Sequence, residues 1–192
     1  MGVSLKKGGN VSLIKEAPGL TAVTVGLHWD ARSTEDGQDF DLDASALMCD
    51  ENGRVLSDKH FIFYHELSSP EGSVVHLGDD VVGGGEDDNE QIIVDLTAVP
   101  GRCQKIVFAV SIYDAEALGV NFGKVHNASI RVVNQSDSRE LARYDLAEDA
   151  AMETAMIFGE IYRRGDDWKF LAVGQGYATG LAGIAKDYGV NV

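Results

Sequence analysis

Apolar residues alternate with polar ones through several stretches of this chain, and Gly, Asp and Asn break the stretches apart. Residues 20–27 are interleaved with Thr21 and Thr24 and rich in β-branched side chains, the composition of a half-buried strand. Residues 41–48 pass from acidic into apolar, and Glu51-Asn52-Gly53-Arg54 then supplies a hairpin signal. Residues 61–64 are a short aromatic run, and 92–96 and 105–113 are strands separated by Pro100-Gly101. The run 105–113 is nearly continuous in apolar residues, which predicts burial on both faces. Residues 128–133 and 140–144 form a further pair around 134–138.

Residues 152–163 carry both periods. Glu153, Ala155 and Met156 favour helix, whereas Ile157-Phe158-Gly159-Glu160-Ile161-Tyr162 favours strand. The turn Arg164-Gly165-Asp166-Asp167 decides for strand from about residue 154, with a return strand over 168–173. Residues 178–188 place Leu181, Ile184 and Ala185 at helical spacing, with Gly189 as the stop, and 115–118 is one helical turn. Short strands at this spacing predict a mainly β fold, a two-sheet β-sandwich with a few short helices including one at the C-terminus, over a single domain of residues 1–192.

Charge narrows the partners. Thirty-one acidic against 16 basic residues leave a net charge of −15, which argues against nucleic acid and anionic membranes and favours cations or a basic partner. The first residues lack the apolar core of a secretion signal and no run reaches membrane-spanning length, so a cytoplasmic location with no direct membrane insertion is expected. The two cysteines, Cys49 and Cys103, are too few for a disulfide framework and sit in or beside apolar runs, as buried thiols do.

Two acidic clusters carry the candidate chemistry. The first is Asp39-Phe40-Asp41-Leu42-Asp43, and the second runs from Gly78 to Glu90. In a strand Asp39, Asp41 and Asp43 face one way and Phe40 and Leu42 the other. Carboxylates two residues apart on a straight strand lie about 7 Å from one another, so one ion needs a bend or a closing loop. The second cluster is such a loop, because Gly83-Gly84-Gly85 turns freely and the flanking residues offer more oxygens than one ion takes. Calcium binds about six to eight hard oxygens, which suits this supply and makes two ions plausible. An EF-hand is excluded, since Ala44 stands at the sixth position and Asp50 at the twelfth. The plain alternative is a solvated acidic face.

Phe40-Asp41-Leu42-Asp43-Ala44, the Gly78–Glu90 loop, Ile112-Tyr113-Asp114-Ala115 and Arg143-Tyr144-Asp145-Leu146 resemble the tellurium-resistance TerD family. So do Val173-Gly174-Gln175-Gly176-Tyr177 and the tail from Lys186 to Val192, and the resemblance covers essentially the whole chain. It implies a β-sandwich with two adjacent calcium sites, in a bacterial cytoplasmic stress protein linked to tellurite resistance, phage inhibition and colicin tolerance. It also implies partnership with other proteins of a tellurite-resistance operon, including a membrane component. By position it points to Asp41, Asp43, Asp79, Asp88 and Glu90 as ligands. The chain departs from the usual loop at Asp80, Glu86 and Asn89. The candidate metal ligands are therefore Asp39, Asp41, Asp43, Asp79, Asp80, Glu86, Asp88 and Glu90.

Other motifs say less. Val173-Gly174-Gln175-Gly176-Tyr177-Ala178-Thr179-Gly180 imitates a dinucleotide fingerprint, but its third Gly falls one position late, and a tight strand-to-helix turn is expected there. The five histidines make no zinc pattern, and no Gly-x-Ser-x-Gly elbow occurs, so no enzyme is expected. Two alternatives stand beside the calcium module. One is a tellurite-handling enzyme using Cys49 or Cys103, which needs an accessible thiolate of low pKa. The other is an acidic scaffold with no specific metal.

Overall fold

The computed structural model describes residues 2–30, 41–78, 88–146 and 152–191. The described strands form two six-stranded sheets. The first sheet contains β1 (Val3–Leu5), β3 (Ala22–Asp30), β6 (Val74–His76), β7 (Glu90–Asp95), β9 (His126–Asn134) and β10 (Glu140–Asp145), in the order β1-β10-β9-β3-β7-β6. The second contains β2 (Asn10–Ser12), β4 (Leu42–Cys49), β5 (Phe61–Ile62), β8 (Lys105–Ile112), β11 (Ala155–Arg164) and β12 (Asp167–Tyr177), in the order β2-β12-β11-β8-β4-β5. Among the described strands only the β1–β10 pairing is parallel.

Alternation along the strands builds the core. Leu42, Ala44, Ala46 and Met48 of β4 join Val23, Val25 and Leu27 of β3 and Ile92 and Val94 of β7 between the sheets. Leu47 and Cys49 of β4 face the other way, where Ile184 and Ala185 of α3 (Gly180–Asp187) cover the second sheet. Strand β8 lies between β11 and β4 and is buried from Ile106 to Ile112, because one face meets the first sheet and the other meets α3. That is the two-sided burial its unbroken apolar run predicts. Gly189 ends α3 in the left-handed region (φ 84°), with Gly189 N–H bonded to Lys186 O and Val190 N–H to Ala185 O.

The two sheets are joined differently at their two edges. On one side a turn at residues 6–9 carries the chain from β1 directly into β2. Gly8 N–H donates to Ala172 O (2.8 Å) and Ala172 N–H to Gly9 O (2.9 Å), which bind the turn to β12. On the other side β5 and β6 are the edge strands.

Several elements differ from expectation. Strands β1, β2 and β6 and helix α1 (Leu13–Glu16) were not foreshadowed, whereas α2 (Ala115–Leu118) is the predicted single turn. The turn at Asp50–Arg54 forms, but it leads to one bridge, Cys49↔Val55, and a 3₁₀ turn at Asp58–His60 before β5 returns against Ala46 and Leu47. Strand β12 continues to Tyr177, so Gly174 and Gly176 lie within the strand and not in a turn to α3. Among the described residues no helix is long and apolar enough to cross a membrane.

Candidate functional site

The two acidic clusters enter the described structure at one end of the sandwich. Asp41 and Asp43 open β4, and Asp88 and Glu90 open β7. Asp39, Asp79, Asp80 and Glu86 lie outside the described residues.

Glu90 ties the two starts together. It is 2% exposed, and its Oε2 accepts the backbone N–H of Ala44 at 2.5 Å. That N–H lies on the side of β4 away from β8, in a stretch where β5 is already too short to pair. His76, at the end of β6, completes the closure. Its Nδ1 accepts from Gly78 N–H (3.0 Å), so Nε2 carries the ring proton. Nε2 lies 3.1 Å from Ala44 O and 3.4 Å from Glu90 Oε2. Both backbone groups of Ala44 are thus met by side chains of the facing sheet, as buried polar groups require.

Asp43 is 6% exposed and stands opposite Ser111 in register. By alternation it leaves β4 on the face away from the sheet interface, while Leu42 enters the core as expected. Asp41 is half-buried, and its carbonyl accepts Tyr113 N–H (2.8 Å). Glu90 therefore reaches the strand that carries Asp43, but from the interior side.

Asp88 has a different environment. Its side chain is 3% exposed and lies on Arg131, with Nε at 2.6 Å from Oδ1 and Nη2 at 3.0 Å from Oδ2. Gln91 Nε2 approaches Oδ2 at 3.4 Å. Gly26 of β3 lies directly beneath, and a Cβ there would run into the Asp88 carboxylate. Asn89 is spent on β3: its N–H donates to Leu27 O and its Oδ1 accepts Trp29 N–H (2.9 Å). A cation at Asp88 would compete with a bidentate guanidinium, whereas the backbone clip of Glu90 uses Oε2 and not Oε1.

The donors suit calcium in kind, being hard carboxylate oxygens, and Glu90 shows that the β4 and β7 starts meet. Among the described residues, however, no three of His, Cys, Asp or Glu converge as a metal cage. Gly26, His76 and Arg131 are site residues that carry no motif in the sequence. His76 had a signal, since it directly precedes the second acidic loop; Gly26 and Arg131 had none, because their partner is 62 and 43 positions away.

The thiols are placed against redox chemistry. Cys49 and Cys103 are both 0% exposed, as expected of core thiols, and they face different core clusters. Burial pushes the Cys49 thiol up from 9.0 to about 12, and the Cys103 thiol to about 11. A reactive thiolate needs exposure and a lowered pKa.

The TerD domain model matches residues 1–188. The chain is 57% identical to tellurium resistance protein TerD of Serratia marcescens over 191 residues, covering 100% of this chain and 99% of that protein. It is 52% identical to general stress protein 16U of Bacillus subtilis (strain 168) over 192 residues and the full length of both. A solved structure of a homologue of telluride resistance protein TerD from Streptomyces coelicolor A3(2) superposes with a TM-score of 0.68 at 21% identity, over 87% of this chain and 96% of that one. A second, of a protein of unknown function, gives a TM-score of 0.71 at 24% identity, over 87% and 95%. With its sandwich, its acidic strand starts and full-length identity to such relatives, the chain belongs to the TerD family of tellurium-resistance and stress-response proteins.

Proposed function

We propose that this TerD-family protein is a calcium-binding interaction module of a bacterial tellurite-resistance system, without catalytic activity of its own. The observation that carries the reading is the Glu90–Ala44 contact, which joins the strand that follows one acidic cluster to the strand that follows the other. Asp41 and Asp43 would hold the cation from β4, with Asp39, Asp79, Asp80 and Glu86 from the flanking segments and a total of two ions. Asp88 would join only in competition with Arg131, and Glu90 would join through Oε1, the oxygen that does not hold Ala44. A bound divalent cation supplies charge neutralisation, which lets like-charged segments lie together. A ligand that binds only the folded state stabilises it by about 2.7 kcal/mol at a hundredfold excess over Kd.

The proposed setting is the cytoplasm, with other tellurite-resistance operon proteins as partners, including a membrane component, and with links to phage inhibition and colicin tolerance. The cysteine-based alternative is disfavoured by the burial and raised pKa of both thiols. The acidic scaffold differs from the main reading only in its metal, so one experiment separates them. Calorimetric titration of chelator-stripped protein should give saturable calcium binding near two ions per chain, with magnesium much weaker. The Asp41→Asn/Asp43→Asn variant should lose most of that heat. Absence of binding at millimolar calcium would leave the acidic scaffold.

A further inference from the structure

A cavity of about 430 Å³ opens in the seam between the sheets on the β1/β2 side, far across the sandwich from Glu90. Its volume is in the range of small-molecule sites, about 300–1,000 Å³. Leu5, Leu146, Met156 and the ring of Tyr144 make an apolar wall, and β12 passes beneath with Gly174 and Gly176. These glycines are on the same face of the strand, where glycine ordinarily weakens a sheet. Gly174 has φ 62°, and a Cβ on it would strike the Tyr144 hydroxyl; one on Gly176 would strike the Glu153 side chain. The Gly-x-Gly pair that mimics a dinucleotide fingerprint thus clears the floor of a different cavity.

The polar groups around this floor are unequal. Asp145 is held by Arg143 Nε (2.7 Å), and Glu153 Oε2 turns onto the backbone N–H of Met152 (3.1 Å). Tyr144 is 5% exposed, and its hydroxyl has no hydrogen-bond partner among the described residues. Lys6 and Lys7, at the mouth, are exposed and form no ion pair with any described residue. In a chain of net charge −15, two ammonium groups in no ion pair with a described residue, beside a hydroxyl and an apolar wall, favour one ligand chemistry.

We propose that this seam binds a small organic anion with an apolar body, a carboxylate or sulfonate. Its acid group meets Lys6 and Lys7, its acceptor oxygen takes the Tyr144 hydroxyl proton in a hydrogen bond, and its hydrocarbon part lies on Leu5, Leu146 and Met156. The site uses no residue of the calcium proposal and stands or falls separately from it.

The test uses the full chain in calcium-free buffer with two aromatic probes of similar body. One is the anion 1-anilinonaphthalene-8-sulfonate and the other is neutral N-phenyl-1-naphthylamine. Saturable one-to-one binding of the anion is expected, with amide NMR shifts at Gly174, Gly176 and Tyr144. Lys6→Glu/Lys7→Glu should weaken the anion at least tenfold and leave the neutral probe within twofold. Tyr144→Phe should weaken the anion severalfold. No saturation at millimolar probe, shifts confined to other regions, or equal anion affinity in the lysine variant would overturn the proposal. The NMR mapping on the unaltered protein decides even if a variant folds poorly.

Discussion

At the β5/β6 edge of the sandwich, polar side chains close the backbone, whereas at the β1/β2 edge a turn crosses between the sheets and leaves a cavity of about 430 Å³. The closed edge spends Glu90 and His76 on Ala44. Nearby, Ser57 and Glu71 hold the two ring nitrogens of His60 at 2.7 and 3.2 Å, and Ser73 donates to Glu71 at 2.7 Å. Phe61, Phe63 and His65 stack along the same side. At the open edge the backbone is already paired by Gly8, Gly9 and Ala172, so the side chains there are not needed to satisfy it. Burying polar groups demands that each be satisfied, while an edge satisfied by backbone alone leaves its side chains free of that demand.

The largest effect should come from breaking the closed edge. Glu90→Ala leaves the buried Ala44 N–H without its acceptor, and a loss of about 2–3 kcal/mol is expected in urea unfolding with chelator present. Glu90→Gln keeps an acceptor and should lose less than half of that. A change below about 0.5 kcal/mol in the Ala variant would show that the clip does not hold the edge.

The thiol at the end of β4 sharpens the same contrast through pH. Its raised pKa means that folded and unfolded states both keep the proton below pH 9.0, where its contribution is fully present. Above that the unfolded chain ionises first, so stability falls as pH rises toward about 11 for Cys103 and about 12 for Cys49. The slope is at most about 1.4 kcal/mol per pH unit for each thiol. Tyr188, also raised by burial, adds its own decline in more alkaline solution. Unfolding midpoints between pH 8 and 10.5 should drop, and Cys49→Val should flatten the drop. A flat profile, or rapid thiol labelling of the native protein at pH 8, would contradict this burial.

The smallest effect belongs to the open edge. Tyr144→Phe should change stability by less than about 0.5 kcal/mol, because the hydroxyl it removes has no partner among the described residues. A loss comparable to that of Glu90→Ala would erase the distinction between the edges.

The long strands were legible because eight to eleven residues give several periods of alternation, as in β12, or an unbroken apolar run, as in β8. Strands β1, β2 and β6 have three residues each, too few to show a period of two, and only pairing with a neighbour makes them strands. The glycines of β12 were read as a turn because glycine is depleted from strands, yet Tyr144 and Glu153 need the space above them. Asp88 illustrates the limit for the site. Its charge and spacing resemble a ligand, and nothing local announces that Arg131 would lie on both its oxygens.

By itself the sequence determined the mainly β sandwich, the C-terminal helix with its Gly189 stop, the burial of both thiols and the concentration of carboxylates at two strand starts. Those follow from periodicity, turn chemistry and composition, which act between neighbours in the chain. Only the tertiary structure decided that Glu90 reaches Ala44, that Asp88 belongs to Arg131, and that Gly174 lies under Tyr144. The partners in these contacts are 46, 43 and 30 residues apart. Packing two sheets face to face brings the first and third within reach, whereas Asp88 meets Arg131 across β3 within the first sheet.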